Sequence, residues 1–451
     1  LTVLTSLVVC LHFDFSAMLT SLPHTSEVLM ILGPRISTFK HATLSETIAF
    51  DKLFSQADKP VKVEGITACA ISPISGRYLV VCDDCKRVLV FESADSVWSY
   101  RGEYKVPRRA SCVSVTPDDS FILVGEKAGY VHKYNLDELN TAQALSGDED
   151  DGDFMLGHLS LLTCLTVSID GRLMATADRD EKIRISRTKE PYVIESFCLG
   201  HTGPVLDATF VDSSHLVSIA TDGILRLWDG LKGIELDSLD LDPHLRELVD
   251  CSAAGTIEAF LALRLFSIED LIIVGIRSHN CLMAVSLSRK DGDVRLKRPI
   301  ASGSVVVSGV SFKTGDRLLD CSLANYEPAS RKVDVITLMQ PTLKVNAWTL
   351  HIPANEDDTP AQWSNPIDWG PLPESLPFTD APHLRLQLLS ELCKCPMDRS
   401  GIEAYEKNKG EMQKHIRDRH LRHQRKRRKL RHQSQAGDDQ EVKETNATEG
   451  E

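Results

Sequence analysis

The 451-residue sequence lacks the common catalytic signatures. No G-x-G-x-x-G follows a strand, and there is no Walker loop, no G-x-S-x-G elbow and no H-E-x-x-H, so the motifs that seat phosphates, nucleophilic serines or catalytic zinc are missing. The β-after-β body has none of the βαβ alternation that a dinucleotide-type fold requires. No apolar run reaches 18 residues, so no transmembrane helix is predicted. The apolar opening, Leu1–Phe13, has neither the basic flank nor the small-residue cleavage site of a secretory signal, and residues 1–24 are set apart as an unassigned leader. The twelve cysteines are scattered, without a short-spaced framework, which is the usage of reduced thiols in a cytosolic or nuclear protein. The pairs Cys82/Cys85 and Cys393/Cys395 stand too far apart in sequence to be read as one four-ligand zinc site, and no metal is expected.

The chain does carry an uneven charge. Its net charge is −13, yet residues 414–432 hold ten Lys and Arg against one Asp, a local excess of about +9. The remainder, at about −22, repels phosphates broadly, so contact with nucleic acid is expected only through few residues or through the tail. Within that tail, Arg425, Lys426, Arg427 and Arg428, with Lys429, form the run RKRRK. It reads as a nuclear-import signal or a phosphate contact, against the plainer reading of a solvated tail.

A repeat is the strongest signal present. Alternating strands end at Phe50, Phe91, Tyr134, Ser186, Trp228, Ser286 and Ile336, in steps of 41, 43, 52, 42, 58 and 50 residues. A unit of 40–45 residues with four strands is the period of a WD-type propeller blade. The long third step contains an acidic loop at 147–153. The fold class predicted is all-β: a seven-bladed WD-repeat β-propeller over 25–350 with a C-terminal helical, basic tail. Residues 351–382, rich in Pro and acid, read as a linker, 383–432 as a helical basic extension and 433–451 as a disordered tail. No helical period competes before about residue 383.

The repeat also predicts structural side chains. His201 stands 21 residues before Asp222 and His158 stands 22 before Asp180, spacings at which a loop His bonds a turn Asp across a crowded sheet. Trp228 closes the one repeat that ends in Trp-Asp. These histidines therefore read as structural rather than catalytic. In 178-DRDEKIRIS-186 the pleat sends Ile183 and Ile185 to the core and Lys182 and Arg184 to the other face, with Arg226 at the matching place one blade later.

The string ADRDEKIR followed by IESFCLGHT, within 153–202, resembles the WD-repeat, non-catalytic subunit of the eukaryotic tRNA (guanine-N(7)-)-methyltransferase. The likeness is close over 150–230, plausible over 60–150, where VPRRA (106–110) also looks familiar, and loose beyond 230. The resemblance implies a heterodimer with a catalytic Rossmann-type subunit. S-adenosylmethionine is then expected on that partner, with no cofactor here, and tRNA is held through the complex for N(7)-methylation in the variable loop. It further implies that Lys182 and Arg184, with Arg179 beside them, pair with acidic residues of the partner. Arg108 and Arg109 are implied as a positive spot near the tRNA path, and the nucleus as the location. Two other classes stay open: a WD adaptor of chromatin or ubiquitin-ligase type binding peptides through top-face loops, and a propeller enzyme, which would need His, Asp and Glu clustered in the channel.

Overall fold

The computed structural model describes residues 17–371, except 22–26, 33–34, 41–42, 50–65, 95–96, 138, 140–151, 249–261, 291–292, 299–304, 313–316, 341–343 and 354–358. Seven antiparallel sheets follow one another along the chain. Blade 1 is β1–β4 (Ala17–Ser21, Glu27–Leu32, Arg35–Lys40, Thr43–Ala49), and blade 2 is β5–β8 (Ile66–Ile71, Tyr78–Asp83, Arg87–Ala94, Val97–Lys105). Blade 3 is β9–β12 (Ala110–Val115, Phe121–Glu126, Tyr130–Asn135, Asp153–Gly157), and blade 4 is β13–β16 (Leu162–Val167, Leu173–Asp178, Ile183–Arg187, Ile194–Cys198). Blade 5 is β17–β20 (Val205–Phe210, His215–Ala220, Ile224–Asp229, Ile234–Asp240). Blade 6 is β21–β25 (Ala262–Ile268, Leu271–Ile276, Cys281–Lys290, Asp293–Leu296, Val307–Ser311), with β24 and β25 sharing the outer edge of β23. Blade 7 is β26–β30 (Arg317–Glu327, Lys332–Gln340, Lys344–His351, Gln362–Trp363, Ile367–Pro371), with β29 and β30 both on β28.

The first strand of each blade lies innermost, and these strands neighbour one another in order from β1 round to β26 and back to β1. Strands β5, β9, β13 and β17 are buried along their whole length. Packed on both faces, they show no polar alternation and use Ala, Ser, Thr, Cys and Val to fit the crowded centre. The ring closes through buried polar bonds. The Leu19 N–H donates to Asp320 Oδ2 at 2.9 Å, and Arg264 grips Asp320 at 2.8 and 2.7 Å while also donating to the Leu19 carbonyl. A buried ion pair satisfied in this way ties blades 6, 7 and 1 together.

The seven-bladed expectation holds, with corrections inside it. The strands ending at Phe91, Tyr134, Ser186, Trp228 and Ser286 are third strands, each followed by outer pairing, whereas SETIAF coincides with the fourth strand of blade 1 and RKVDVI with the second of blade 7. The propeller also exceeds 25–350: β1 falls in the expected leader, and β29 and β30 fall in the expected linker because the long β28 offers an unpaired edge to both. One helix, α1 (Asp242–Leu248), stands between blades 5 and 6. At two turns it is too short to leave a readable period. Asp240 Oδ1 accepts the Asp242 N–H, and Leu245 is buried beneath it. The bulk of the acidic loop, Cys393, Cys395, the basic run 425–428 and both C-terminal segments lie outside the described residues.

Candidate partner interface

In blade 5 the expected side-chain chain is complete. His201 Nδ1 lies 3.0 Å from Asp222 Oδ2 and its Nε2 lies 2.8 Å from Ser218 Oγ, to which Trp228 Nε1–H donates at 2.8 Å. Asp222 is held below its ordinary pKa: burial pushes it up, but the bonds from His201 and from the N–H groups of Thr202 and Ile224 outweigh that. His201 and Trp228 are buried. Both histidines are thus occupied by the sheet.

Blade 4 departs from this pattern. His158 Nδ1 meets Asp178 Oδ2 at 2.8 Å, not Asp180, and its Nε2 meets Thr176 Oγ1 at 2.7 Å. Asp178 ends β14, and its other oxygen accepts the N–H groups of Asp180 and Lys182, closing the turn. Blade 5 has Ala220 at the end of its second strand, so the turn residue Asp222 does that work there. Asp180 instead accepts Ser160 Oγ–H at 2.8 Å. Ser186 occupies the place of Trp228.

The basic residues of blade 4 divide by position. Ile183 and Ile185 are fully buried, as the pleat predicts. Arg179 is exposed at the turn; its N–H donates to the Leu161 carbonyl, and Asp180 lies 3.9 Å from its Nε. Lys182 follows Glu181, which holds a left-handed φ of 70°. The ladder pairs Ile183 with Cys198, so Lys182 stands one step beyond it, level with Leu199. Arg184 is not on an open edge. It is half-buried, its Nε donates to Ser186 Oγ at 2.9 Å, and its Nη2 donates to the Pro191 carbonyl at 2.8 Å. Burial lowers its pKa, and among the described residues no carboxylate is paired with it. The equivalent Arg226 in blade 5 is paired with Glu235.

Arg108 and Arg109 are exposed on the loop from β8 into β9. That loop lies against the turns of blades 2 and 3: Arg108 N–H donates to Glu126, Arg109 Nε donates to the Asp84 carbonyl, and the Lys127 N–H donates to the Arg109 carbonyl. The loop holding Leu161 lies on the turn holding Arg179 in the same way. Arg108, Arg109, Arg179 and Lys182 therefore share the end of the propeller that carries these loops, while Arg184 sits on the side of its blade. The distinction between a side and a top face does not separate Lys182 from the loop residues.

The cysteine pair does not converge: Cys82 is buried in β6 and Cys85 is exposed in the following turn. Asp83, Asp84 and Cys85 do bring ligand atoms within 4.8 Å of one another, but Asp83 is taken by Arg87 at 2.6 Å. Sequence reasoning missed a set of exposed apolar side chains beside Arg184, of which Tyr192 (75% exposed) and Leu199 (62%) are the extremes.

The match to a known family profile includes the same region. The family profile described as tRNA methyltransferase TRM82 WD40 domain matches residues 142–332. The chain is 39% identical over 187 residues to the tRNA (guanine-N(7)-)-methyltransferase non-catalytic subunit wdr4 of Xenopus laevis, covering 41% of this chain and 44% of that protein. It is 38% identical over 181 residues to WDR4 of Homo sapiens, described in the same words, covering 40% and 41%. Over 103 residues it is 44% identical to the corresponding subunit wuho of Anopheles gambiae, covering 23% and 27%. The matched segments span less than half the length of these relatives.

Proposed function

We propose that this chain, matched by the TRM82-type WD40 profile over residues 142–332, is the non-catalytic subunit of a tRNA (guanine-N(7)-)-methyltransferase. The observation that carries the reading is the fourth blade. Inside the matched segment it presents Arg179 and Lys182 on a turn and holds Arg184 half-buried, with no carboxylate paired to it among the described residues. A desolvated guanidinium with open donors gains most from a carboxylate brought by another protein, because charge-assisted bonds strengthen as water is excluded. Catalysis, and the S-adenosylmethionine it consumes, then belong to a Rossmann-type partner in a heterodimer, and this subunit acts by fixing the partner's geometry.

Arg108 and Arg109, exposed on the same end as Lys182, take tRNA phosphates in this reading. The small number of such contacts fits a body whose charge is otherwise negative. The nuclear location rests on the run 425–429 and is tested by deleting 414–432, after which the protein should lose nuclear enrichment; unchanged enrichment refutes it. The adaptor alternative is not favoured, since the named relatives are all methyltransferase subunits.

The test is a pulldown of the tagged chain followed by assay of tRNA guanine N(7)-methylation with added S-adenosylmethionine. Activity should require a co-eluting methyltransferase and be absent from the isolated chain. Lys182→Glu with Arg184→Glu should abolish co-purification while circular dichroism stays native. A folded double variant that still brings down the active partner rejects the assigned contact.

A further inference from the structure

The seven blades are not all fastened to their neighbours in the same way. Each sheet is built from consecutive strands, so blades 1 and 7 share no strand among the described residues. Blades 2 to 5 follow one another through residues 106–109, 158–161 and 199–204, whereas β4 ends at Ala49 and β5 begins at Ile66. A short connector pins a blade to its neighbour, and a longer one leaves it room to move at little entropic cost. Blade 1 is therefore held by its contacts. Leu19, Val28 and Met30 lie in one apolar cluster with blade 7, and Leu29 and Ile31 in another with blade 2. The same blade also buries Glu27, Ser37 and Thr38, and the buried Thr20 hydroxyl has no hydrogen-bond partner among the described residues. Buried polar groups hold a joint less firmly than apolar ones, and an unpaired one weakens it.

A polar clasp closes the ring at this joint. The Leu19 N–H donates to Asp320 Oδ2 at 2.9 Å, across 301 residues of chain. Arg264 of blade 6 holds Asp320 at 2.8 and 2.7 Å and donates to the Leu19 carbonyl at 3.2 Å. Both polar groups of the Leu19 backbone are thus caught. The arginine and aspartate side chains are only 3% and 2% exposed. Asp207 makes the corresponding bond from blade 5 to the Leu265 N–H of blade 6 at 2.8 Å, with no arginine bonded to it among the described residues. The cation is added where blade 1 is caught. Attraction between two buried charges is largely offset by the hydration they give up. When β1 leaves, water reaches both charges and restores that hydration. The clasp therefore fixes the seat of blade 1 more than it stabilises it.

We infer that blade 1 is a leaf of the ring that opens as a unit, with Arg264 and Asp320 as its clasp. Opening parts β1 from β26 and β5 and leaves blades 2 to 7 seated on one another. The Arg264–Asp320 pair joins blades 6 and 7, so it stays formed while blade 1 is out. The clasp also sets the order of assembly. Its two charged residues belong to the last two blades of the chain, and blade 1 can seat only once both are in place. Contacts so distant in sequence form late, because the closure entropy of the intervening chain must be met first. The inference is independent of the function proposed above.

Amide hydrogen exchange of the full chain, read by mass spectrometry of its peptides, measures the opening. After correction for intrinsic rates, peptides from β2 and β3 should exchange together, about tenfold or more faster than those from β9 and β13, because a leaf opens without unfolding the ring. Asp320→Asn keeps an acceptor for the Leu19 N–H but leaves the Arg264 charge buried and uncompensated in the closed ring. It should speed exchange in β2 and β3 by about tenfold or more and leave β9 and β13 within about twofold. Adding Arg264→Met removes the stranded charge and should bring β2 and β3 back to within about threefold of wild type. Wild-type exchange in β2 and β3 at the rate of β9 and β13 overturns the leaf, since the ring then opens only by unfolding as a whole. The clasp is overturned if Asp320→Asn leaves β2 and β3 unchanged, or speeds all blades alike, or is not rescued by the second substitution. Should the variants fail to fold, the wild-type comparison decides alone.

Discussion

Blades 4 and 5 are adjacent, share a strand order and bulge at the same step, yet their side chains serve different ends. Blade 5 closes on itself: His201, Asp222, Ser218 and Trp228 form one hydrogen-bonded chain, and Arg226 is neutralised by Glu235. Blade 4 keeps the histidine and its carboxylate but has Ser186 for the tryptophan and Ile194 for the glutamate. The residue pattern that fills blade 5 is relaxed in blade 4 at these two positions, one buried and one on the outer strand. An internal cation and an exposed apolar edge remain, which is the composition of an interaction surface. Repetition makes this visible, because the neighbouring blade displays what the same backbone does when its own side chains neutralise the arginine.

The comparison breaks most easily at Trp228. Truncating this fully buried ring to alanine should cost about 3–5 kcal/mol, read as a large fall in melting temperature, and Ser218 would lose a donor as well. Ser186→Ala, at the matching place in blade 4, should cost only about 1–2 kcal/mol through the bond from Arg184. Equal losses would mean that the two blades are built alike. A second contrast lies at the centre, where Cys164 of β13 matches Asp207 of β17 and its thiol lies 3.6 Å from Asp207 Oδ1. Burial raises the Asp207 pKa to about 7, an effect the N–H groups of Leu265 and Ala208 only partly offset. An unfolded aspartate releases its proton near pH 3.9. The folded chain therefore holds the extra proton between about pH 4 and 7, and Asp207 costs stability progressively as the pH rises through that window. Relative to Asp207→Asn, the wild type should lose about 1 kcal/mol per pH unit across it. Parallel stability curves for the two proteins from pH 5 to 8 would contradict this.

Exchanging the outward residues sharpens the contrast further. Glu235→Ile should leave Arg226 without its carboxylate and cost about 1–2 kcal/mol, because the Arg226 side chain is only 13% exposed. Denaturant titration of the two chains would measure it. Loss of less than a few tenths of a kcal/mol would show that Glu235 does not stabilise blade 5 and would remove the ground for reading Ile194 as its replacement.

Much of this was legible in the sequence. The spacing of the alternating strands announced seven blades, and the alternation of Ile183 and Ile185 with Lys182 and Arg184 fixed which side chains face the core. Other features were not. Asp178 and Asp180 stand two residues apart, and only the point where β14 ends decides that His158 meets the first. The seventh blade has strands of 8–11 residues whose length blurred which strand was third. The exposure of Ile194 depends on a bulge between Ile185 and Ser186, and a one-residue slip in register exchanges the two faces of a strand without any change in composition. A comparison of β16 with β20 residue by residue would have found it, given that bulge.

The smallest effect concerns the turn that presents Lys182. In the turn that leads into the third strand of blades 2 to 5 the backbone is left-handed at Lys86 (φ 65°), Gly129 (89°), Glu181 (70°) and Gly223 (75°). Blades 3 and 5 use glycine there, which adopts this conformation at little cost, and blades 2 and 4 do not. Glu181 is exposed, and its φ is imposed by Asp178, whose oxygen holds the N–H groups on both sides of it. Glu181→Gly should therefore relieve strain of about 1 kcal/mol, partly offset by the greater freedom of glycine in the unfolded chain. A rise in melting temperature of a degree or two is the expected result. The same substitution removes an acidic side chain next to Lys182, so affinity for the proposed catalytic partner should rise modestly in low salt and return to the wild-type value in high salt. A fall in stability would show that Glu181 makes a contact worth more than its strain, and the turn would then be held from outside rather than by Asp178.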